Sequence, residues 1–327
     1  MKNWFWVLAI VIFFIAGLNT SCKNNRSESR YGRVFNQIEF IDSLFLDLPF
    51  YRIVYDHGHV FGYYFPDKSI YKLNDKFEIL DSLGRWGEGP KENLMIRNYQ
   101  VINENKLEIF DSEKNIFKIQ DFKDSVYFLH KFSKNLYGGF HLGDQRFLIW
   151  SKANKSRIEF SYFDLKKKLY DPINKINSYF NSDNSALVYE GKVLLNGNEI
   201  LYTSYFANFW FKYNINSDEI SIGEYIHDYP LPKVLEVGGG VMLDDAVELI
   251  VDSFIYNGKL IIISNFGERK FPEQRLLDIY DIKSMRYEKS YLLPQLFETA
   301  PDEGFLFKDG QIGILYEDLV AIFRLKN

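Results

Sequence analysis

The sequence predicts an all-β protein: a six-bladed β-propeller of four-stranded antiparallel blades, its ring closed by an N-terminal strand. Three observations lead there. Short apolar and aromatic runs alternate with a period of two and are broken by Asn, Asp, Gly, Ser and Lys, the pattern of half-buried strands joined by tight turns. An aromatic followed by Asp, Asn or a near equivalent, a polar turn and an apolar restart recurs six times, at a spacing near that of a propeller blade. Six blades of roughly 50 residues need about 300 residues, and a chain of 327 supplies them once a leader is set aside.

The leader comes first. Lys2 gives a short positive region, Trp4 to Leu18 is an unbroken apolar run, and Asn19-Thr20-Ser21 leads into Cys22, the only cysteine. About 15 apolar residues is short for a membrane span and suits the hydrophobic region of a signal peptide. A cysteine directly after a small residue resembles a bacterial lipobox, with Asn19 standing where Leu or Val is usual. That resemblance implies cleavage before Cys22, acylation of its thiol and a protein held on a membrane without spanning it. A chance cysteine behind an ordinary secretory signal is the competing reading. Lys23 is not the aspartate that resembles an inner-membrane retention signal, so the expected location is the outer membrane of a cell envelope, on either its periplasmic or its outer side. Residues 1–21 are thus read as the signal, the polar and aperiodic 22–33 as a flexible tether, and 34–327 as the propeller.

The six units are Phe65-Pro66-Asp67 before Ile70, Phe110-Asp111 before Ile116, Phe163-Asp164 before Leu169, Tyr213-Asn214 before Ile220, Tyr280-Asp281 before Tyr287 and Tyr316-Glu317-Asp318 before Val320. Asp or Asn at a strand end bonds its own backbone two residues on and closes the turn, while the aromatic packs between neighbouring sheets. Radially arranged sheets cover one another and leave only short edges. A β-sandwich with coincidentally similar turns is the alternative arrangement. The one window with a hint of a helical stripe, Val241 to Val251, is interrupted by Asp244, Asp245 and Glu248. The last hairpin, 311–325, ends almost at the chain terminus, so the final blade needs a strand from elsewhere, and Val34 to Ile41 is the donor.

Lys72 to Asn93, ending in Gly84-Arg85-Trp86-Gly87-Glu88-Gly89-Pro90-Lys91-Glu92-Asn93, resembles the strand-turn-strand and G-x-x-G-x-G-P-x-E segment of six-bladed propeller lipoproteins common in Bacteroidetes, which form TolB-like and NHL-like families. Lys91 stands where many NHL-like members carry glycine, which tilts the resemblance to the TolB-like branch. It implies a lipid-anchored envelope propeller and little about chemistry. Read from its residues, the segment is a long connector whose glycines need positive φ or close backbone approach. It lacks the glycine order and the following helix of a phosphate loop.

With 39 basic against 44 acidic residues, a net charge of −5 removes non-specific nucleic-acid binding as a default. His57 and His59 share one face if Asp56 to His59 is a strand, but no third ligand stands near, so no metal is assigned and no cofactor is expected. Gly238 to Gly240, followed by Asp244-Asp245, reads as a mobile loop. No G-x-S-x-G, H-E-x-x-H or EF-hand pattern is present, and no catalytic residue can be named. The favoured function is a non-catalytic module binding an envelope protein, a peptide or a glycan. The alternative is a propeller hydrolase, lactonase or lyase with its site at the central channel. Strand polarity puts the turn 111–115 on the same face as the connector 84–93, so the ligand-contacting residues are expected among Arg85, Trp86, Glu88, Lys91, Glu113 and Lys114. Trp86 either stacks on the ligand or plugs the gap between blades one and two.

Cys22→Ser is expected to release the protein into the soluble fraction on envelope fractionation. Unchanged membrane association and mobility would remove the anchor.

Overall fold

The computed structural model describes residues 32–227, 229–265 and 274–326. Cys22, the signal and the tether up to residue 31 lie outside the described residues. The chain enters as β1 (Phe35–Asn36) and β2 (Ile38–Phe45). Blade one comprises β3 (Tyr51–Asp56), β4 (His59–Tyr64), β5 (Ser69–Leu73) and β6 (Ile79–Leu83). Blade two has β7 (Ile96–Asn103), β8 (Lys106–Asp111), β9 (Ile116–Asp121) and β10 (Val126–Lys131). Blade three has β11 (Leu136–His141), β12 (Arg146–Ala153), β13 (Arg157–Asp164) and β14 (Leu169–Pro172). Blade four has β15 (Gly191–Asn196), β16 (Glu199–Ser204), β17 (Trp210–Asn214) and β18 (Glu219–Gly223). A separate hairpin, β19 (Lys233–Val237) and β20 (Gly240–Asp244), precedes blade five, which has β21 (Ile250–Tyr256), β22 (Lys259–Ser264), β23 (Leu276–Asp281) and β24 (Arg286–Leu292). Blade six joins β25 (Glu303–Leu306), β26 (Ile312–Tyr316) and β27 (Leu319–Leu325) to β2. The protein is a six-bladed β-propeller.

Closure follows the expected logic with different bounds. The strand that completes blade six is Ile38–Phe45, antiparallel to β27, rather than Val34 to Ile41. Phe35–Asn36 instead lies parallel to β24 and adds a fifth strand to blade five. The folded part also begins earlier than the expected boundary at Val34. Arg33, assigned to the tether, is buried with its guanidinium on both carboxylate oxygens of Asp278, at 2.9 Å each, and 3.3 Å from Ser264 Oγ.

The six units do not occupy equivalent places in their blades. The aromatic–Asx units at Asp67, Asp111 and Glu317-Asp318 join second and third strands, whereas those at Asp164, Asn214 and Asp281 join third and fourth. The recurring unit is thus two different turns, because both hairpins of a blade draw on the same chemistry. Asp67 accepts from Ser69 N, Asn214 from Asn216 N and Asp281 from Ser284 N, while Asp121 and Asn74 close turns outside the aligned set in the same way. The aromatics pack as expected with one exception. Phe110, Phe163, Tyr213, Tyr280 and Tyr316 are buried between blades, but Phe65 is 45% exposed. The window Val241 to Val251 forms no helix: it supplies the second strand of the hairpin and the start of β21. Short helical turns appear instead at Asn174–Asn177 and Ser185–Val188, too brief to leave a periodic stripe. His57 sits in the turn between β3 and β4, with its backbone carbonyl 3.0 Å from His59 Nδ1, so the pair does not share a strand face. No group of three metal-ligating side chains occurs among the described residues.

The connector between blades one and two is clamped onto blade two. Lys114 Nζ donates to the carbonyls of Gly89 (2.6 Å) and Glu92 (3.0 Å). Beneath it, the fully buried Lys118 donates to those of Pro90 (3.3 Å) and Glu92 (3.1 Å). Asp111 accepts from Leu94 N and Met95 N. Glu92 accepts from Arg85 and from Gly89 N, and a Cβ on Gly84 (φ +79) would meet Asn93 Nδ2 at 2.2 Å. Burial, and then the neighbouring Lys114 charge, push the Lys118 ammonium down to about 7.

Two outcomes are expected. Arg33→Met, which strands a buried carboxylate, should lower stability in denaturant unfolding by about 3–5 kcal/mol, whereas Arg85→Met should move the midpoint little. The lowered Lys118 value means that above pH 7 the unfolded chain binds the proton that the folded chain has lost, so stability should rise between about pH 7 and 10 by up to about 1.4 kcal/mol per unit. Lys118→Met should flatten that rise in denaturation curves, and an equal slope in both proteins would refute this account of the clamp.

Candidate functional site

In each blade the first and third strands run one way and the second and fourth the other. Turns from second to third strand and connectors to the next blade therefore open on one side, the connector face. The Lys114 bonds to Gly89 and Glu92 place 111–115 and 84–93 together there. Arg85, Trp86, Glu88, Lys91 and Glu113 are exposed. Trp86 is 69% exposed, so it does not plug the gap between blades. The Lys114 ammonium is engaged by the connector, and this residue positions the rim. Phe297 and Phe45, 71% and 65% exposed with ring centroids 5.6 Å apart, stand on the same face at the seam of blades five and six.

The channel itself is built from the innermost strands. Such a strand has a free edge toward the channel, and its buried N–H and C=O groups need partners. They find them in side chains of adjacent blades. Glu303, at the start of β25, accepts from the backbone N–H groups of Arg52 (2.7 Å) and Ile53 (2.5 Å) in blade one. The Arg52 guanidinium donates to the Ile96 carbonyl of blade two at 3.0 Å, and Tyr99 Oη donates back to the Arg52 carbonyl. Asn98 bonds Gly139 of blade three. Lys192 of blade four pairs with Asp252 of blade five at 2.6 Å, and the other Asp252 oxygen accepts from Gly304 N of blade six at 3.0 Å. Arg97 of blade two faces Glu190, the residue leading into blade four, at 3.7 Å. The contacts close a circle.

Local backbone irregularity makes this possible. The strands β3, β7, β11 and β21 each shift register one to three residues from their start, at 51/54, 96/98, 136/138 and 250/252. A bulge bends the strand and redirects the residues within it, which here include Arg52 and Arg97. The electrostatics follow from burial. It pushes the Glu303 carboxyl well above the carboxylate range, assisted by the Asp252 charge. Burial and the nearby Arg97 pull Arg52 down. Burial also opposes the charge on Lys192, but the carboxylates of Asp252 and Glu303 hold its ammonium above its ordinary value.

Inside the circle lies a cavity of about 690 Å³ running along the channel, within the usual range of small-molecule sites. Its charged lining gathers at the starts of the innermost strands, hence at the connector face, and Tyr51 and Phe65 flank it there. None of the six residues expected to contact a ligand lines it. The sequence carried a signal for those that do: a charge within the first three positions of the innermost strand in five blades, as Arg52, Arg97, Lys192, Asp252 and Glu303.

No family model matches the chain, and no curated protein matches it in sequence. Its fold is similar to solved structures. A member of the DUF4221 family from Bacteroides vulgatus superposes with a TM-score of 0.59 at 9% identity, covering 93% of this chain and 100% of that one. A Bacteroides fragilis protein whose name assigns it to the exported class superposes with a TM-score of 0.54 at 12% identity, covering 94% and 98%. Likeness at these identities is likeness of fold.

Proposed function

We propose that this chain is an envelope propeller, anchored through an acylated Cys22, that binds a ligand at the connector-face mouth of its channel without transforming it. One observation carries the reading: two of the channel carboxylates, Glu303 and Asp252, are already committed. Both oxygens of Glu303 and both of Asp252 hold the propeller's own amides and Lys192, so drawing either carboxylate into proton transfer would release groups that tie the blades together. What faces the open space is an aromatic pair and the loosely joined Arg97 and Glu190. The exposed Arg85, Trp86, Glu88, Lys91 and Glu113 form an outer rim on the same face for the larger part of a peptide, glycan or protein. The apolar run before Cys22, the name of the B. fragilis neighbour and the G-x-x-G-x-G-P-x-E segment support envelope residence and the TolB-like branch. Among the described residues no helix is long and apolar enough to cross a membrane.

The test incubates detergent-solubilised full-length protein with a deproteinised envelope extract. A ligand at 100 times its Kd stabilises by about 2.7 kcal/mol, an upward shift of several degrees in melting midpoint. The shift is expected in the wild type, diminished in Arg97→Met, with the bound compound recovered at unchanged mass. No shift in either protein, or recovery of a cleaved or rearranged compound, would sink the reading.

A further inference from the structure

Six ionisable groups stand at the channel mouth, Arg52, Arg97 and Lys192 with Glu190, Asp252 and Glu303, and four of them, Arg52, Lys192, Asp252 and Glu303, are bonded into the propeller itself. Asp302, also in the lining, is paired with Arg275 at 2.9 Å. A site for an anion or a cation keeps a surplus of the opposite sign. Here the pair left open, Arg97 and Glu190, is one cation and one anion, which favours an occupant without net charge.

The Arg97 Nη2 to Glu190 Oε1 distance of 3.7 Å lies beyond hydrogen-bond length, and both side chains are more than a third exposed. A hydroxyl group fits between such a pair, because it accepts from the guanidinium and donates to the carboxylate at once. Two adjacent hydroxyls satisfy two edges of the same planar groups. A neutral group able only to donate or only to accept leaves one partner of the pair unmet.

The third element is aromatic. Of the six aromatics that end strands before an Asx-type turn, Phe65 alone is substantially exposed, and it lines this cavity together with the half-exposed Tyr51. Lys68 Nζ lies 3.1 Å from the Phe65 ring centroid on one side, and Tyr63 meets the ring edge-on with centroids 6.3 Å apart. The ring is held in place by neighbours yet open to the cavity. An aromatic face beside planar hydrogen-bonding groups recognises an apolar C–H face with equatorial hydroxyls at its edge.

We propose that the channel mouth takes a neutral saccharide, with a sugar ring stacked against Phe65 and Tyr51 and its hydroxyls bridging Arg97 and Glu190. This rests on the channel-mouth reading above and narrows it to one ligand class. Arg97 and Glu190 then determine specificity through hydroxyl geometry, and the aromatic pair supplies most of the contact area.

Detergent-solubilised full-length protein is titrated calorimetrically with maltotriose, cellotriose, mannotriose, xylotriose and triacetylchitotriose as separate neutral probes, with trigalacturonate as an anionic one and glycyl-leucine as a zwitterionic one. At least one neutral trisaccharide is expected to bind with a Kd of about 1 mM or tighter, weakened about tenfold or more in both Phe65→Ala and Arg97→Met. Both residues are partly exposed, so unchanged melting midpoints in the variants keep the comparison valid, and Arg97→Lys should recover part of the loss. Two outcomes overturn the proposal: no neutral probe binding at about 10 mM, or neutral binding that neither variant weakens. If the uronate or the dipeptide binds and loses affinity in Arg97→Met while the neutral probes do not bind, the saccharide assignment falls and the channel-mouth reading stands. If no probe binds, the saccharide assignment falls, and the envelope-extract shift decides the reading beneath it.

Discussion

A propeller blade has an inner edge that no further strand can pair, and the arrangement of this molecule's channel follows from how that edge is satisfied. Backbone amides on the inner edge need acceptors, and the acceptors come from the neighbouring blade: Glu303 for Arg52 and Ile53, and Asp252 for Gly304. Each such bond ties one blade to the next at the radius where their separation is smallest, so the same contacts set the spacing of the sheets. Bulges free the amides and redirect the side chains. What remains facing the open space, Arg97 with Glu190 and the aromatics, is what the edge did not use.

The 18% aromatic content divides along the same line. Between blades three and four, Phe160, Phe180, Tyr202 and Phe211 form a continuous cluster; between two and three, Phe110, Phe117, Phe132, Phe147 and Phe163 do the same. These rings are the filling of the wedge-shaped gaps that radial packing creates, where large flat side chains take up volume that aliphatic ones leave empty. Among the described residues, the three most exposed large apolar side chains, Phe297, Trp86 and Phe45, all stand on the connector face. Packing has no use for them.

The fold was legible in the sequence because its determinants are local: period-two alternation, Asx-closed turns and a final blade one strand short. The same locality misled the blade register, since Asp111 and Asp164 close chemically equivalent turns at different places in their blades. Strand polarity alone put the connector and the turn 111–115 on one face. The channel residues were less visible. Arg52, Arg97, Lys192, Asp252 and Glu303 lie 45 to 95 positions apart in succession, and their meaning arises only when six strand starts converge on one axis. Arg33 escaped for a related reason: its partner, Asp278, lies 245 residues away, and a polar segment gives no sign that one of its charges is buried.

The entry of the chain has a mechanical side. Arg33 grips Asp278 in blade five and β1 lies along the outer strand of that blade, while β2, the strand that closes the ring, belongs to blade six. Tension applied to the N-terminal chain therefore reaches the buried ion pair and the short parallel ladder before it reaches β2. Blade five acts as a strain relief: the seam on which the whole ring depends carries load only after a separate clip has given way.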